Sequence, residues 1–341
     1  MSPAGRCLFA VPHYYSFKGS SDLGSQRDPV ETRAQIFMRA ITTLHETFGR
    51  VQSVHPGVRV PDTAGNVVDI VVVTRATDHL VAELEPVSHL FEHRIVEDEP
   101  THLGFAVNRI LAEAAGKYDR YSFYEDDLVI HDPQFFDKQD WFSSVFGSGS
   151  LLHPRRYESD GGLKIHPDGP LPGLEFTKLL HPPPGPERLE GDWFGLSVAF
   201  ERPSNPHAGS YFVNAEQLER LALHPRFVVP HESFFRTIET APTGPLVDTF
   251  CVYKAAFPAG DFLEVEHQGT WYMDLWGVPD PAHIAESARI AEWRRAEDAE
   301  ARAAVAATRA EQAERQLEEI RMSHSWRATA PVRRMTALLR R

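Results

Sequence analysis

The hydrophobic pattern changes period several times along the chain, and each change marks an element. Cys7 to Pro12 (CLFAVP) is a short unbroken apolar run that predicts a buried first strand. A polar stretch rich in Gly and Ser follows at residues 18 to 29. Between Val30 and Phe48 the apolar residues Ile36, Ala40, Leu44 and Phe48 recur at every fourth position, which predicts an amphipathic helix. Val67 to Thr74 (VVDIVVVT) is β-branched and almost wholly apolar, the pattern of a strand covered on both faces. His102 to Ala115 returns to helical spacing, with Leu103, Val107, Ile110 and Leu111 on one side, and Tyr121 to Ile130 predicts a pair of strands. This alternation predicts an α/β fold with a mixed, mostly parallel sheet flanked by helices.

The pattern loosens after that. Residues 155 to 210 hold many Pro, Gly and His residues, including HPPPGP at 181 to 186, and predict irregular structure over the top of the sheet. Trp193, Phe194, Leu196, Val198 and Phe200 predict buried strands within it. Glu216 to Leu223 predicts a short helix, and residues 246 to 256 another, with Asp248 as its cap. From Pro281 the chain is rich in Ala, Glu and Arg, with neither Gly nor Pro between 282 and 322. The expected division is therefore a domain over 1–280, one long helix over 281–322, and a basic amphipathic tail over 323–341.

Composition narrows the function classes. The formal net charge of −13 over 341 residues excludes a general nucleic-acid binder, which needs a basic face. Two cysteines, Cys7 and Cys251, make a disulfide framework improbable and fit a reducing, cytoplasmic compartment. The N-terminus is a poor signal peptide. No apolar run approaches the roughly 20 residues that span a bilayer.

Chemistry concentrates in YDRYSFYEDDLVIHD, residues 118 to 132, where Glu125, Asp126 and Asp127 interrupt two apolar runs. A solvated turn is the plain reading of such a triplet. Charges between buried strands are costly unless offset, and a hard divalent cation with oxygen ligands offsets them. In open α/β sheets, ligands bind beyond the carboxyl ends of strands, where this triplet falls.

The order strand, helix, β-branched strand, helix, then an aromatic strand ending in EDD resembles the nucleotide-sugar-binding half of a GT-A glycosyltransferase. The segment LGFAVNRILAEAAGKYDRYSFYEDD resembles that family's approach to its DxD-type motif, and the resemblance covers roughly residues 5 to 277. It implies a divalent metal, Mn²⁺ or Mg²⁺, bridging the phosphates of a nucleotide-diphosphate sugar donor. It implies Asp127 as direct metal ligand, and Glu125 or Asp126 at the ribose, the sugar or a metal-bound water. Asn108 and Arg109 would face the nucleotide from the preceding helix, and His13 and Tyr14 would touch the base. His267, in LEVEHQGTWYMD, would be a further metal ligand, with Trp271, Tyr272 and Trp276 as stacking candidates. Gly209 would let the backbone approach the sugar and acceptor. Asp248 would be the general base of an inverting displacement, with Glu239 and Glu232 as rivals. Arg155 and Arg156 would meet a phosphate or an acidic acceptor, or else pair at the surface with Glu158.

The resemblance implies a glycan or lipid-linked acceptor in bacterial surface polysaccharide synthesis. The tail, with Trp326, Val332, Met335, Leu338 and Leu339 among basic residues, suggests contact with the inner face of a membrane; the long helix suggests self-association. A sugar-phosphate nucleotidyltransferase is the enzymatic rival, although KGSSDLGSQR at 18 to 27 matches its phosphate loop only faintly. A non-catalytic scaffold with a vestigial donor site is the rival of another class.

Overall fold

In a computed structural model of the protein, the predicted first strand lies in the middle of a five-stranded sheet. The structure describes residues 5–16, 28–49, 54–55, 58–59, 67–160, 163–167 and 180–276. The chain divides into two compact units, Met1–Met273 and Asp274–Arg341. The predicted helix over 281–322, the tail over 323–341 and the KGSSDLGSQR segment lie outside the described residues.

The elements are β1 (Arg6–Pro12), α1 (Val30–Phe48), β2 (Val54–His55), β3 (Val58–Arg59), β4 (Val67–Arg75), β5 (Glu92–Val96), α2 (Leu103–Glu113), β6 (Arg120–Tyr124), β7 (Leu128–Val129), α3 (Phe135–Phe146), β8 (Ser150–Leu152), β9 (Arg155–Ser159), β10 (Lys164–Ile165), β11 (Arg188–Trp193), β12 (Leu196–Glu201), β13 (Ser210–Asn214), α4 (Ala215–Ala222), α5 (Thr237–Thr249), β14 (Cys251–Ala255), β15 (Glu264–His267) and α6 (Trp271–Trp276). The main sheet has the order β13-β6-β1-β4-β5. Strands β6, β1, β4 and β5 run parallel, and β13 closes one edge antiparallel to β6. The mixed, mostly parallel α/β sheet predicted from the alternation is therefore present.

The alternation of β1 sorts its side chains onto two faces. Cys7, Phe9 and Val11 enter one core with Phe37, Ile41, Leu44 and Phe48 of α1. Leu8 and Ala10 enter the other with Leu103, Val107, Ile110 and Leu111 of α2. Strand β4 divides in the same way, Val68, Ile70 and Val72 against Val71 and Val73. Each fully buried aliphatic or aromatic side chain stabilises by about 1.5–3 kcal/mol, so both helices are held by their apolar stripes. On α1 the stripe runs through Ala34, Phe37, Ala40, Ile41, Leu44 and Phe48, and Ile36 lies at its margin.

A second sheet, β10-β9-β15-β7, and a third, β11-β12-β14-β8, build on this layer. In the β11–β12 hairpin Val198 and Phe200 are buried as expected, but Phe194 and Leu196 stand exposed at its tip. The helix expected over 246–256 is not formed. Helix α5 spans Thr237–Thr249 instead, and Cys251–Ala255 is strand β14, paired with β8 and β12. The β-branched and aromatic character of CVYKA suits a fully buried strand. Pro242 and Pro245 lie inside α5 and hide it from helical signals. Asp248 therefore sits near the end of a helix and does not cap its start.

Candidate functional site

The three acids form a turn at the carboxyl end of β6, where the Leu128 N–H donates to the Glu125 carbonyl at 3.3 Å. The chain then enters β7, which pairs antiparallel with β15 so that Leu128 faces His267. The Gln268 N–H also donates to the Asp127 carbonyl at 2.8 Å. This pairing brings His267 Nε2 to 3.6 Å from Asp127 Oδ2, beyond hydrogen-bond distance.

The His267 ring is oriented from behind. Its Nδ1 lies 2.8 Å from Oε1 of Glu158, a fully buried carboxylate on β9. The other Glu158 oxygen accepts the N–H groups of Tyr272 and Met273, both at 2.9 Å. A carboxylate accepts only, so Nδ1 carries a proton, and it is Nε2 that faces Asp127 and has a lone pair to offer in the neutral ring. Asp127 Oδ1 is buried and has no hydrogen-bond partner.

Asp126 is held differently. Its two oxygens are bound by His13 Nδ1 and by Arg33 Nη2, and Arg33 Nη1 also donates to Asp127 Oδ2 at 3.2 Å. His13 Nε2 accepts the Leu80 N–H at 3.0 Å, so both ring nitrogens are engaged and the imidazole is fully buried. Burial works against the Asp126 charge, but Arg33 and His13 outweigh it and hold its carboxyl below the usual value. Burial likewise opposes the Arg33 charge, and Asp126 and Asp127 override it to raise the guanidinium above its ordinary value.

Glu125 turns toward Gly209, which precedes β13. The Glu125 N–H donates to the Gly209 carbonyl at 3.1 Å. Gly209 has φ +64°, and a Cβ there would lie 2.2 Å from Glu125 Oε2. The space a side chain would need at this glycine is taken by Glu125. Burial and the neighbouring Asp127 charge push the Glu125 carboxyl up to about 7, against the pull of Arg156 and His267. Arg156 Nη1 lies 3.9 Å from Glu125, and its guanidinium packs over the Tyr272 ring.

The other expected residues fall in several places. Tyr14 is partly buried against the α2-side core. Asn108, expected at the nucleotide, is fully buried and bonded within the protein. Its Nδ2 donates to the carbonyls of Phe227 and Ala241, and its Oδ1 accepts the Tyr211 hydroxyl. The Ala241 carbonyl is available because Pro245, four residues on, has no N–H. Arg109 pairs with Asp98 at 2.7 Å at the surface. Arg155 is buried, donating to the Ala255 carbonyl and pairing with Glu201. Trp271 packs edge-on against Tyr272.

Of the base candidates, Asp248 accepts the His181 N–H at 2.6 Å and lies 3.7 Å from His224 Nε2. Glu239 sits in the first turn of α5, roughly 13 Å away along the helix at about 1.5 Å per residue. Its Oε1 pairs with Arg236 at 2.8 Å, and its Oε2 is buried without a hydrogen-bond partner. One turn further, Thr243 Oγ1 meets His207 Nδ1 at 3.0 Å, two residues before Gly209. Glu232 accepts the Thr237 hydroxyl.

Sequence reasoning assigned no role to Arg33 and met Glu158 only as a surface partner. One signal was present for each. Arg33 precedes Phe37 by one helical turn and so lies on the apolar stripe of α1. Glu158 shares a face of β9 with Arg156.

Among the described residues no three His, Cys, Asp or Glu side chains converge as a ready-made cation cage. Asp127 and His267 supply two donors, and the bare Oδ1 of Asp127 keeps lone pairs unspent. A carboxylate with an imidazole suits an Mn²⁺-class cation that takes its remaining ligands from water and phosphate.

No known family matches the chain, and no curated protein sequence matches it. Among solved structures, the crystal structure of S. aureus TarS superposes with a TM-score of 0.28 and 15% identity, over 48% of this chain and 24% of that one. TarS 1–349 gives 0.28 and 14% over 51% and 40%. TarS 1–349 in complex with UDP gives 0.28 and 15% over 51% and 39%. The chain thus spans less than half the length of each of these chains, and so partial a likeness assigns no activity. Among the described residues no helix is long and apolar enough to cross a membrane.

Proposed function

We propose that this chain is a glycosyltransferase of GT-A type, which moves a sugar from a nucleotide-diphosphate donor with the help of Mn²⁺ or Mg²⁺. One observation carries the reading: the Asp127 carboxylate and His267 Nε2 face each other beyond the end of β6, and Glu158 orients the imidazole from behind. Asp127 and His267 would hold the cation, which when bound neutralises charge on the departing diphosphate.

The remaining roles belong to the chain's own residues. His13 and Arg33 keep Asp126 ionised beside the site. Glu125, beside Gly209 and Arg156, would accept hydrogen bonds from sugar hydroxyls. We assign the base to Glu239 in preference to Asp248, because one Glu239 oxygen is buried and unspent, while Asp248 accepts the His181 N–H and lies only within ion-pair range of His224. A positioned carboxylate that takes the acceptor proton contributes a typical 10²- to 10⁴-fold, and the displacement is inverting. The acceptor is a glycan or lipid-linked sugar of a bacterial surface polysaccharide, reached at the cytoplasmic face of a membrane.

Calorimetric titration of a panel of nucleotide-diphosphate sugars tests this, with Mn²⁺ and with chelator, on wild type and Asp127→Ala. Binding of one donor that needs both the cation and Asp127 is expected. No binding by any donor in either condition would overturn the reading and favour a scaffold. Pyrophosphate release from a nucleoside triphosphate and a sugar phosphate would favour the nucleotidyltransferase.

A further inference from the structure

Arg33 projects from the first turn of α1 into the acidic triplet and keeps 14% of its side-chain surface exposed. Its Nη1 donates to Asp127 Oδ2, the same oxygen that lies 3.6 Å from His267 Nε2. One carboxylate oxygen thus faces a guanidinium on one side and the imidazole Nε2 on the other. Any cation shared by Asp127 and His267 must compete with Arg33 for that oxygen and sit beside a charge that Arg cannot shed. Asp126 tethers Arg33 through its other amino group and is itself anchored by His13, so the guanidinium does not simply swing away.

We propose that Arg33 sets the cation affinity of the Asp127–His267 pair, holding it weak until an anionic diphosphate adds the negative charge that the site lacks. Asp126 then acts as the tether of Arg33 and not as a ligand. The consequence is ordered chemistry: cation and diphosphate load together, and the protein alone holds little metal. This inference rests on the reading of Asp127 and His267 as the cation site.

Mn²⁺ binding to the full chain without donor, followed by the electron paramagnetic resonance of free Mn²⁺, tests it. Arg33→Gln is expected to bind Mn²⁺ at least tenfold more tightly than wild type, about 1.4 kcal/mol. Arg33→Met keeps the apolar stem and serves if the Gln variant does not fold; the same gain is expected. Arg33→Lys retains the charge and is expected to stay within about threefold of wild type. A residue needed only for structure would lower the affinity on removal, so a gain has no structural explanation. Folded Gln and Met variants with unchanged or weaker affinity would overturn the inference and leave the cation site standing. Absence of Mn²⁺ binding in wild type and variants alike would remove the cation site and this inference together.

Discussion

Glu158 and His267 form the contact on which the proposed cation site rests: a fully buried carboxylate 2.8 Å from the imidazole Nδ1. Glu158 is itself held by two backbone N–H groups of the segment that follows β15. The pair decides which nitrogen of His267 faces Asp127. A carboxylate behind a ligand histidine fixes its tautomer and raises its basicity.

Replacing Glu158 by Gln puts an amide among three donors and removes the negative charge. Mn²⁺ affinity is expected to fall by about 10- to 100-fold. Mn²⁺ titration of the folded variant checks this, and an unchanged dissociation constant would detach Glu158 from the cation site.

Gly209 is expected to tolerate no side chain. Alanine there must adopt φ near +64° and displace the Glu125 carboxylate, which lies 2.2 Å from the new Cβ position. Gly209→Ala is expected to cost about 1–3 kcal/mol in urea unfolding and to weaken donor binding. Wild-type stability together with wild-type binding would show that the turn relaxes freely.

Asn108 bridges α2 to α5, to the loop at Phe227 and to β13. Asn108→Ala leaves two buried carbonyls and a tyrosine hydroxyl unpartnered, each costing about 1–3 kcal/mol. A loss of several kcal/mol in urea unfolding is expected, with donor affinity unchanged below the transition. Weaker donor binding at full stability would instead support the nucleotide role expected from the sequence.

Cys7 is buried, and burial raises its thiol from the ordinary 9.0 to about 11, against the pull of Arg120. The thiolate fraction at pH 8 is then on the order of one in a thousand. In Cys251→Ser, native Cys7 is expected to resist a thiol reagent at pH 8 and to react on unfolding. Because the folded state holds this proton more tightly, its contribution to stability is complete below pH 9 and is lost between about pH 9 and 11. Cys7→Ala is expected to flatten that decline, and fast native labelling would contradict the buried placement.

The periodic elements were legible in the chain. The spacing of Ala40, Leu44 and Phe48 bounded α1 at Val30 and Phe48, where the structure bounds it. The unbroken apolar run of β4 already implied a strand covered on both faces, and the acids after β6 marked the candidate site. Local periodicity carries such information because it records which face of an element is buried.

Only the tertiary structure decided the rest. Helix α5 carries two prolines that erase its local signature, and its packing against α2, pinned by Asn108 on Ala241, overrides propensity. His267 meets Asp127 because β15 pairs with β7, and Glu158 meets His267 because β9 pairs with β15. Arg33 reaches the triplet because α1 packs on the face of β1 and β4 beside it. These partners are distant along the chain, and strand pairing and helix docking choose them through burial and charge that no local window contains.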